Sequence, residues 1–401
     1  MKIAFVVPWY GPDVLGGAET MARWLVENLQ RRGVDVEVLT TCGKDSGSNW
    51  YEDHYPEGES RVNGVPVRRF RVSRGDAETV ESLRQKLQRK RPLSEDEELK
   101  FVSNIINSQA LYDFIGTTER YGCYVFWPYW CGTSYWGAAS RPGISYLIPS
   151  LHDEPTARLG VYRRMFENVR GVLFQTEEEL HLAKRLYGLD EGKLALIGAG
   201  VNAVTGGSTA SFRERHRVRS EFMLCVGRKA DQKNTPLLLS YFGEYKRRNG
   251  GDLKLVLIGP GKADLPSSLS EHIVDLGALP ECDKADAFAA ATILVQPSVN
   301  ESFSIVLMEG WLYGKPALVH SDCAVTAGHC VRSNGGLFFR TYAEFEGCVN
   351  FLVQRPDIRQ TMGLGGRRYV QEHWSFDRMA ERFLAALADR GTPADGERMG
   401  G

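Results

Sequence analysis

Two acids eight residues apart, Glu301 and Glu309, bracket the stretch ESFSIVLME. Glu301 precedes a helix start, and eight residues is a little over two helical turns, so one helix can offer both carboxylates to a single polar ligand. Between them the N–H groups of Phe303, Ser304 and Ile305 are helix-start donors suited to phosphate oxygens. Upstream, Gly227 and Arg228 close a strand candidate and Lys233 stands at the mouth of the next helix. Cations at the carboxyl end of a strand sit where open α/β sheets bind ligands. Each charge-assisted bond from them to phosphate is worth roughly 1.5–3 kcal/mol. These side chains suit a diphosphate held by Arg228, Lys233 and a helix end, with Glu309 accepting from ribose hydroxyls. A surface Arg and Lys beside a capped helix is the plainer alternative, but it leaves the acid at Glu309 unexplained on an otherwise apolar helix.

Three further features could do chemistry. Gly16 and Gly17 stand just before the first helix, where the backbone can approach a ligand and free N–H groups face a phosphate; a plain strand-helix turn is equally compatible. His152 follows a strand candidate and precedes Asp153 and Glu154, so it is either a functional histidine at a strand end or a loop histidine satisfied by those acids. Seven aromatics fall within residues 124–136. Aromatic faces stack on sugar C–H surfaces, so Trp130 and Tyr135, joined by Trp9 and Tyr10, are candidates for a sugar-binding pocket. Strand core followed by a packed loop is the competing account.

The elements that must position these residues alternate along almost the whole chain. Short Val/Ile/Leu runs (3–7, 34–41, 123–127, 146–148, 172–175) are separated by helix-period stretches at 18–29, 160–168 and 178–187. Apolar strands alternating with helices give a parallel sheet covered on both faces. The rhythm breaks over 202–219, which reads as a linker. It restarts with strands at 222–226, 253–258, 293–296 and 316–320 and helices at 235–248, 283–291 and 304–313. The fold class is therefore α/β, with two doubly wound Rossmann-like domains at 1–203 and 204–374, and a Gly- and Pro-rich tail at 390–401 expected to be disordered. Residues 77–91 form a basic amphipathic helix, and Ser94 with Glu97 reads as a capping box opening a second helix to about 114. Such a helix can lie on an anionic membrane; a solvated hairpin, its charges answered by acids at 95–98, is the favoured reading.

Composition narrows the classes of work. The 401 residues are 43% hydrophobic and 25% charged, which excludes wholesale disorder. Lys plus Arg number 49 against 50 acids, arguing against a domain devoted to nucleic acid. No apolar run approaches the ~18 residues of a membrane span. The N-terminal run soon meets Pro8 and reads as a buried strand, not a signal peptide. Eight scattered cysteines without a CxxC pair read as reduced thiols of a cytoplasmic protein.

The chain resembles GT-B fold retaining glycosyltransferases of glycosyltransferase family 4. The resemblance rests on GGAE at 16–19, His152-Asp153-Glu154, VGR with Lys233 and Asn234, ESFSIVLME, and YGKP at 313–316, and it covers nearly the whole chain. It implies two domains facing across a cleft, with a last helix over 375–389 crossing back to the first. It implies a nucleoside-diphosphate-sugar donor, UDP-sugar being the first choice, and a hydroxyl acceptor on a glycan, a lipid-linked or a small molecule. It implies no metal and no cofactor, protein cations taking their place. Arg228 and Lys233 would hold the diphosphate, Glu301 the transferred sugar and Glu309 the ribose. His152 would stand beside the sugar's reacting carbon. Gly16, Gly17, Gly227, Phe303, Ser304 and Ile305 would supply backbone contacts, and Leu279, in GALP at 277–280, would meet the base. The segment 324–332 departs from the family pattern. A sugar-nucleotide 2-epimerase of the same fold and an inactive nucleotide-sugar-binding subunit are the alternatives. An NAD-dependent dehydrogenase is disfavoured because GxGxxG is absent. Contact with the inner membrane face stays open.

Overall fold

Unbroken apolar runs form the strands, and amphipathic stretches the helices between them, in a computed structural model that describes residues 1–14, 16–202 and 206–389. The chain divides into two units, Met1–Gly200 with the segment from Phe376 onward, and Val201–Ser375. In the first unit β1 (Ile3–Val6) leads to α1 (Gly17–Arg31), β2 (Val36–Thr41), β3 (Gly58–Val62) and β4 (Val65–Phe70). Helices α2 (Ala77–Gln88), α3 (Glu95–Asn104) and α4 (Gln109–Thr117) follow. Then come β5 (Cys123–Phe126), α5 (Gly132–Ser140), β6 (Ser145–Leu147), α6 (Gly160–Asn168), β7 (Gly171–Phe174), α7 (Glu177–Tyr187) and β8 (Leu194–Leu196). The eight strands lie in the order β3-β4-β2-β1-β5-β6-β7-β8. All pairings are parallel except β3 with β4, a hairpin turned at Asn63 and Gly64, whose φ values of 50 and 84 degrees suit a two-residue turn.

The second unit holds α8 (Thr209–His216), β9 (Phe222–Val226), α9 (Thr235–Asn249), β10 (Lys254–Ile258), β11 (Ile273–Asp275), α10 (Glu281–Ala290) and β12 (Ile293–Gln296). α11 (Ile305–Leu312), β13 (Ala317–His320), α12 (Ala324–Ser333), β14 (Gly336–Phe339), α13 (Tyr342–Gln354) and α14 (Pro356–His373) complete it. Its six strands, all parallel, run β11-β10-β9-β12-β13-β14. Strand residues Met223, Leu255, Ile293 and Leu318 pack with Leu238 and Phe242 of α9 and Phe345 and Val349 of α13 in one core. The last helix, α15 (Phe376–Ala388), belongs to the first unit: Phe383 stacks on Phe5 and Phe376 meets the edge of Trp24. This is the doubly wound pair of domains expected from the alternation of runs.

Some local expectations need correction. The supposed linker over 202–219 contains α8, capped by Ser208 and held by buried Phe212 against Phe222; one apolar residue is too little periodicity to read. The single helix expected from 94 to 114 is two. Ser94 and Glu97 do form the capping box of α3, but Asn107 then bonds the carbonyls of Val102 and Ile105, and Ser108 caps α4. Residues 132–140 are a helix instead of a loop. The apolar face of α2, Val80, Leu83 and Leu87, is buried in the first unit's core, so it is not available for insertion into a bilayer. The tail at 390–401 lies outside the described residues.

Candidate active site

In the second unit the strand order reverses between β9 and β12, and at such a switch point the loops beyond the carboxyl ends diverge and leave a crevice. The loop after β9 is pinned by backbone: the Gly227 N–H bonds Ile258 O at 2.8 Å and the Lys229 N–H bonds Pro260 O at 2.9 Å. A Cβ on Gly259 would lie 2.0 Å from the Gly227 carbonyl oxygen, so that approach needs glycine. Buried Lys229 pairs with Asp275 at 2.5 Å, while Arg228 points outward and is exposed. After one helical turn at Asp231–Lys233, Asn234 donates to Pro297 O at 3.1 Å and ties the β9 loop to the β12 loop.

Across that tie, Lys233 Nζ meets Glu301 Oε1 at 2.7 Å, and Gln296 donates to the same oxygen at 3.0 Å. Ser304, at φ 73 degrees, gives its hydroxyl to Gln296 Oε1 at 2.8 Å instead of capping the helix. The first turn of α11 therefore has no side-chain cap, and its N–H groups remain suited to an anion. The Phe303 ring is buried against Trp374 and His329 and can offer a ligand only backbone. Glu301 lies in the loop before α11, so the two acids do not share a helix face as expected. Glu309 sits within α11, 6% exposed, 3.0 Å from Lys284 Nζ of α10. Burial pushes its carboxyl up against the pull of Lys284, and its Oε2 is buried with no hydrogen-bond partner. Leu279 is half-buried in the loop after β11, joined to the β10 loop where the Gly259 N–H bonds Gly277 O at 2.7 Å. Thus the structure brings Lys233 and Glu301 together and gives Glu309 a separate partner. Lys284 and Gln296 escaped sequence reading because both act across elements with no motif to mark them.

In the first unit, Gly16 precedes α1, and the Glu19 carboxylate folds so close that a Cβ on Gly16 would lie 2.1 Å from it. Gly17 faces open space. His152 is half-buried in the loop after β6. Asp153 pairs with Arg158 and Arg185, and Glu154 accepts from the Tyr129 hydroxyl. That loop is anchored just before the histidine: buried Glu179 of α7 accepts from the N–H groups of Leu151 at 2.7 Å and Gln175 at 2.8 Å. Burial, opposed by those N–H bonds, pushes the Glu179 carboxyl up to about 7. Trp9 and Trp130 pack with Trp50, centroids 5.7–6.2 Å apart, in loops beyond β1, β5 and β2. Trp50 was not singled out in the sequence. Tyr10 is buried elsewhere, its carbonyl on Arg69, and Tyr135 packs on Trp136.

The described residues contain no group of three His, Cys, Asp or Glu side chains placed to hold a metal, and no helix long and apolar enough to cross a membrane. All eight cysteines are free. Residues 220–353 match the family model "Glycosyl transferases group 1" and residues 16–93 match "Glycosyl transferase 4-like domain", together more than half of the chain. A D-inositol 3-phosphate glycosyltransferase of Kineococcus radiotolerans is 25% identical over 90% of this chain and 88% of its own. Among solved structures, the sucrose-phosphate synthase of Thermosynechococcus elongatus superposes with TM-score 0.72 at 15% identity, covering 96% of this chain and 98% of that one. Anabaena HepE in complex with UDP-glucose superposes with TM-score 0.70 at 14% identity, covering 97% and 99%.

Proposed function

We propose, from the premise that this chain is a glycosyltransferase of the GT-B fold and the family 4 type, that it moves a hexose from a nucleoside-diphosphate donor to a hydroxyl, with retention at the anomeric carbon. The carrying observation is the Lys233 and Glu301 pair at the switch point of the second unit. A cation for phosphate and a carboxylate for sugar hydroxyls, held 2.7 Å apart, suit the junction between a diphosphate and its sugar. Arg228 and the uncapped first turn of α11 add positive potential for the departing diphosphate. The unpartnered Glu309 Oε2 suits a ribose hydroxyl, since a buried acceptor without a donor is costly. Leu279 borders the base. UDP is the first choice of nucleotide, consistent with the UDP-sugar held by HepE. For His152 the family resemblance supports stabilising charge at the reacting carbon. The acceptor is a hydroxyl of a glycan, a lipid-linked or a small molecule, and the exposed Arg89, Lys90 and Arg91 after α2 suit electrostatic contact with an anionic membrane surface. Retention without an enzyme nucleophile fits a front-face reaction, in which the leaving phosphate helps take the acceptor's proton.

The test is a thermal-shift panel of UDP, GDP, ADP, dTDP and NAD on wild type, Lys233→Met and Glu309→Ala. One nucleoside diphosphate at a hundred times its Kd should stabilise wild type by about 2.7 kcal/mol, with a smaller shift in both variants. Turnover in Lys233→Met should fall on the order of 10²–10³-fold, the cost of one transition-state donor, with little change in unliganded melting because Lys233 is half-buried and Glu301 keeps the Gln296 donor. No shift with any diphosphate would remove the donor site. Donor consumption without an acceptor would point to epimerase chemistry instead.

A further inference from the structure

Three arginines lie close together in and just after β4, and one differs from the others. Arg68 pairs with Glu37 and Glu59, and Arg71 with Glu57. Arg69 is 6% exposed, and among the described residues no carboxylate lies against it. Its Nη2 donates to the Tyr10 carbonyl at 2.8 Å, and its guanidinium lies 4.3 Å from the centre of the Tyr55 ring. Nη1 is buried with no hydrogen-bond partner. The ionisable groups near enough to influence it are Tyr55, Cys42 and Tyr10. Burial pushes the Cys42 thiol up to about 11 and raises the Tyr10 phenol, so neither supplies a negative charge. The Tyr10 hydroxyl is itself buried and unpartnered, but Glu27 and Arg23 act on it more strongly than Arg69 does. A buried cation with no anion is costly to keep.

Its position offers a reason. Arg69 is next to the last residue of β4, beside β2, at the carboxyl edge where this sheet's ligands are expected. The ring against it belongs to the segment from 42 to 57 between β2 and β3, which contains neither helix nor strand. Loops of that length inside a compact domain are usually functional. Here the N–H groups of His54 and Tyr55 both bond Cys42 O, at 2.7 and 2.9 Å, while Asp53 and Glu57 on either side are tied to Val72 and Arg71, so the Tyr55 ring lies between two anchors of the loop.

We propose that Arg69, through its unpartnered Nη1, binds an anionic group, phosphate or carboxylate, carried by the acceptor, with Tyr55 as its cover. For its occupant the inference rests on the transferase reading, and it narrows the acceptor from any hydroxyl compound to one bearing a negative charge. The donor's diphosphate has its own cations in the second unit.

The probes are inorganic phosphate and glucuronate, titrated by calorimetry and thermal shift into wild type, Arg69→Met, Arg69→Lys and Tyr55→Ala, with UDP, GDP, ADP and dTDP run in parallel. One of the two anions should bind wild type, at least tenfold more weakly in Arg69→Met, less impaired in Arg69→Lys, and more tightly in Tyr55→Ala. Phosphate binding alone would assign a phosphorylated acceptor, and glucuronate binding alone a uronate. Arg69→Met loses the bond to the Tyr10 carbonyl and the contact with the Tyr55 ring, so Arg69→Lys, which keeps a cation, is the control for any fall in melting. An anion response equal in wild type and Arg69→Met, or absent from both wild type and Tyr55→Ala, overturns the site while leaving UDP binding intact. Failure of UDP, GDP, ADP and dTDP alike to bind wild type overturns the transferase reading and leaves the anion result standing.

Discussion

Glu179 is a single carboxyl whose burial sets both its charge and the backbone before His152. It accepts from Leu151 and Gln175 as an anion, yet burial lifts its pKa to about 7, above the ~4.3 of an exposed glutamate. The native state therefore holds its proton more tightly than the unfolded chain, and stability present below about pH 4.5 is lost as pH rises to about 7. Over about 2.5 pH units the loss is on the order of 3 kcal/mol. Glu179→Gln has no such titration, so urea unfolding of both proteins from pH 4.5 to 7.5 should show wild type losing stability relative to the variant. Parallel curves would mean that Glu179 is not raised. Arg228, Lys233 and Glu301 were legible because each stands at the edge of a clear run. Glu179, Lys284 and Arg69 were not, because their significance comes from partners on other elements.

The elements around the second site are held by close packing that composition hardly reveals. α11, which carries Glu309, packs on α14 with glycines at the contact. A Cβ on Gly363 would fall 1.9 Å from the carbonyl oxygen of Gly314, and backbone there cannot give way as a side-chain tip could. Gly363→Ala should therefore separate α14 from the turn after α11, costing about 1–3 kcal/mol as overpacking does, and weaken UDP binding through Glu309. Gly347, on the exposed side of α13, has nothing within 4 Å of the same added atom. Gly347→Ala should melt at or above wild type, since alanine favours helix by roughly 1 kcal/mol. Equal melting of the two variants would remove the packing argument. The hairpin of β3 and β4 went unread although Asn63-Gly64 is a strong turn signal, because charged Glu59, Arg61, Arg68 and Arg69 hide its alternation.

At the scale of the whole molecule, each unit has its own sheet and core, and the chain's last helix is returned to the first of them. That return is visible in sequence only as an amphipathic stretch; which sheet it covers is decided by Phe383, fully buried and stacked 5.5 Å from Phe5 in β1. Truncation to alanine there should cost about 3–5 kcal/mol through lost transfer energy and a residual cavity. A chain with two cores need not unfold in one step, so the loss belongs to the first unit, whereas UDP on the proposed reading stabilises the second. Calorimetry of Phe383→Ala should then show one transition moved to lower temperature and another, raised by UDP, at its wild-type position. Two transitions falling together, with UDP raising both, would mean that the units share their stability; α15 would then be a clasp on the whole enzyme, and variants far from the donor site would be expected to weaken the nucleotide.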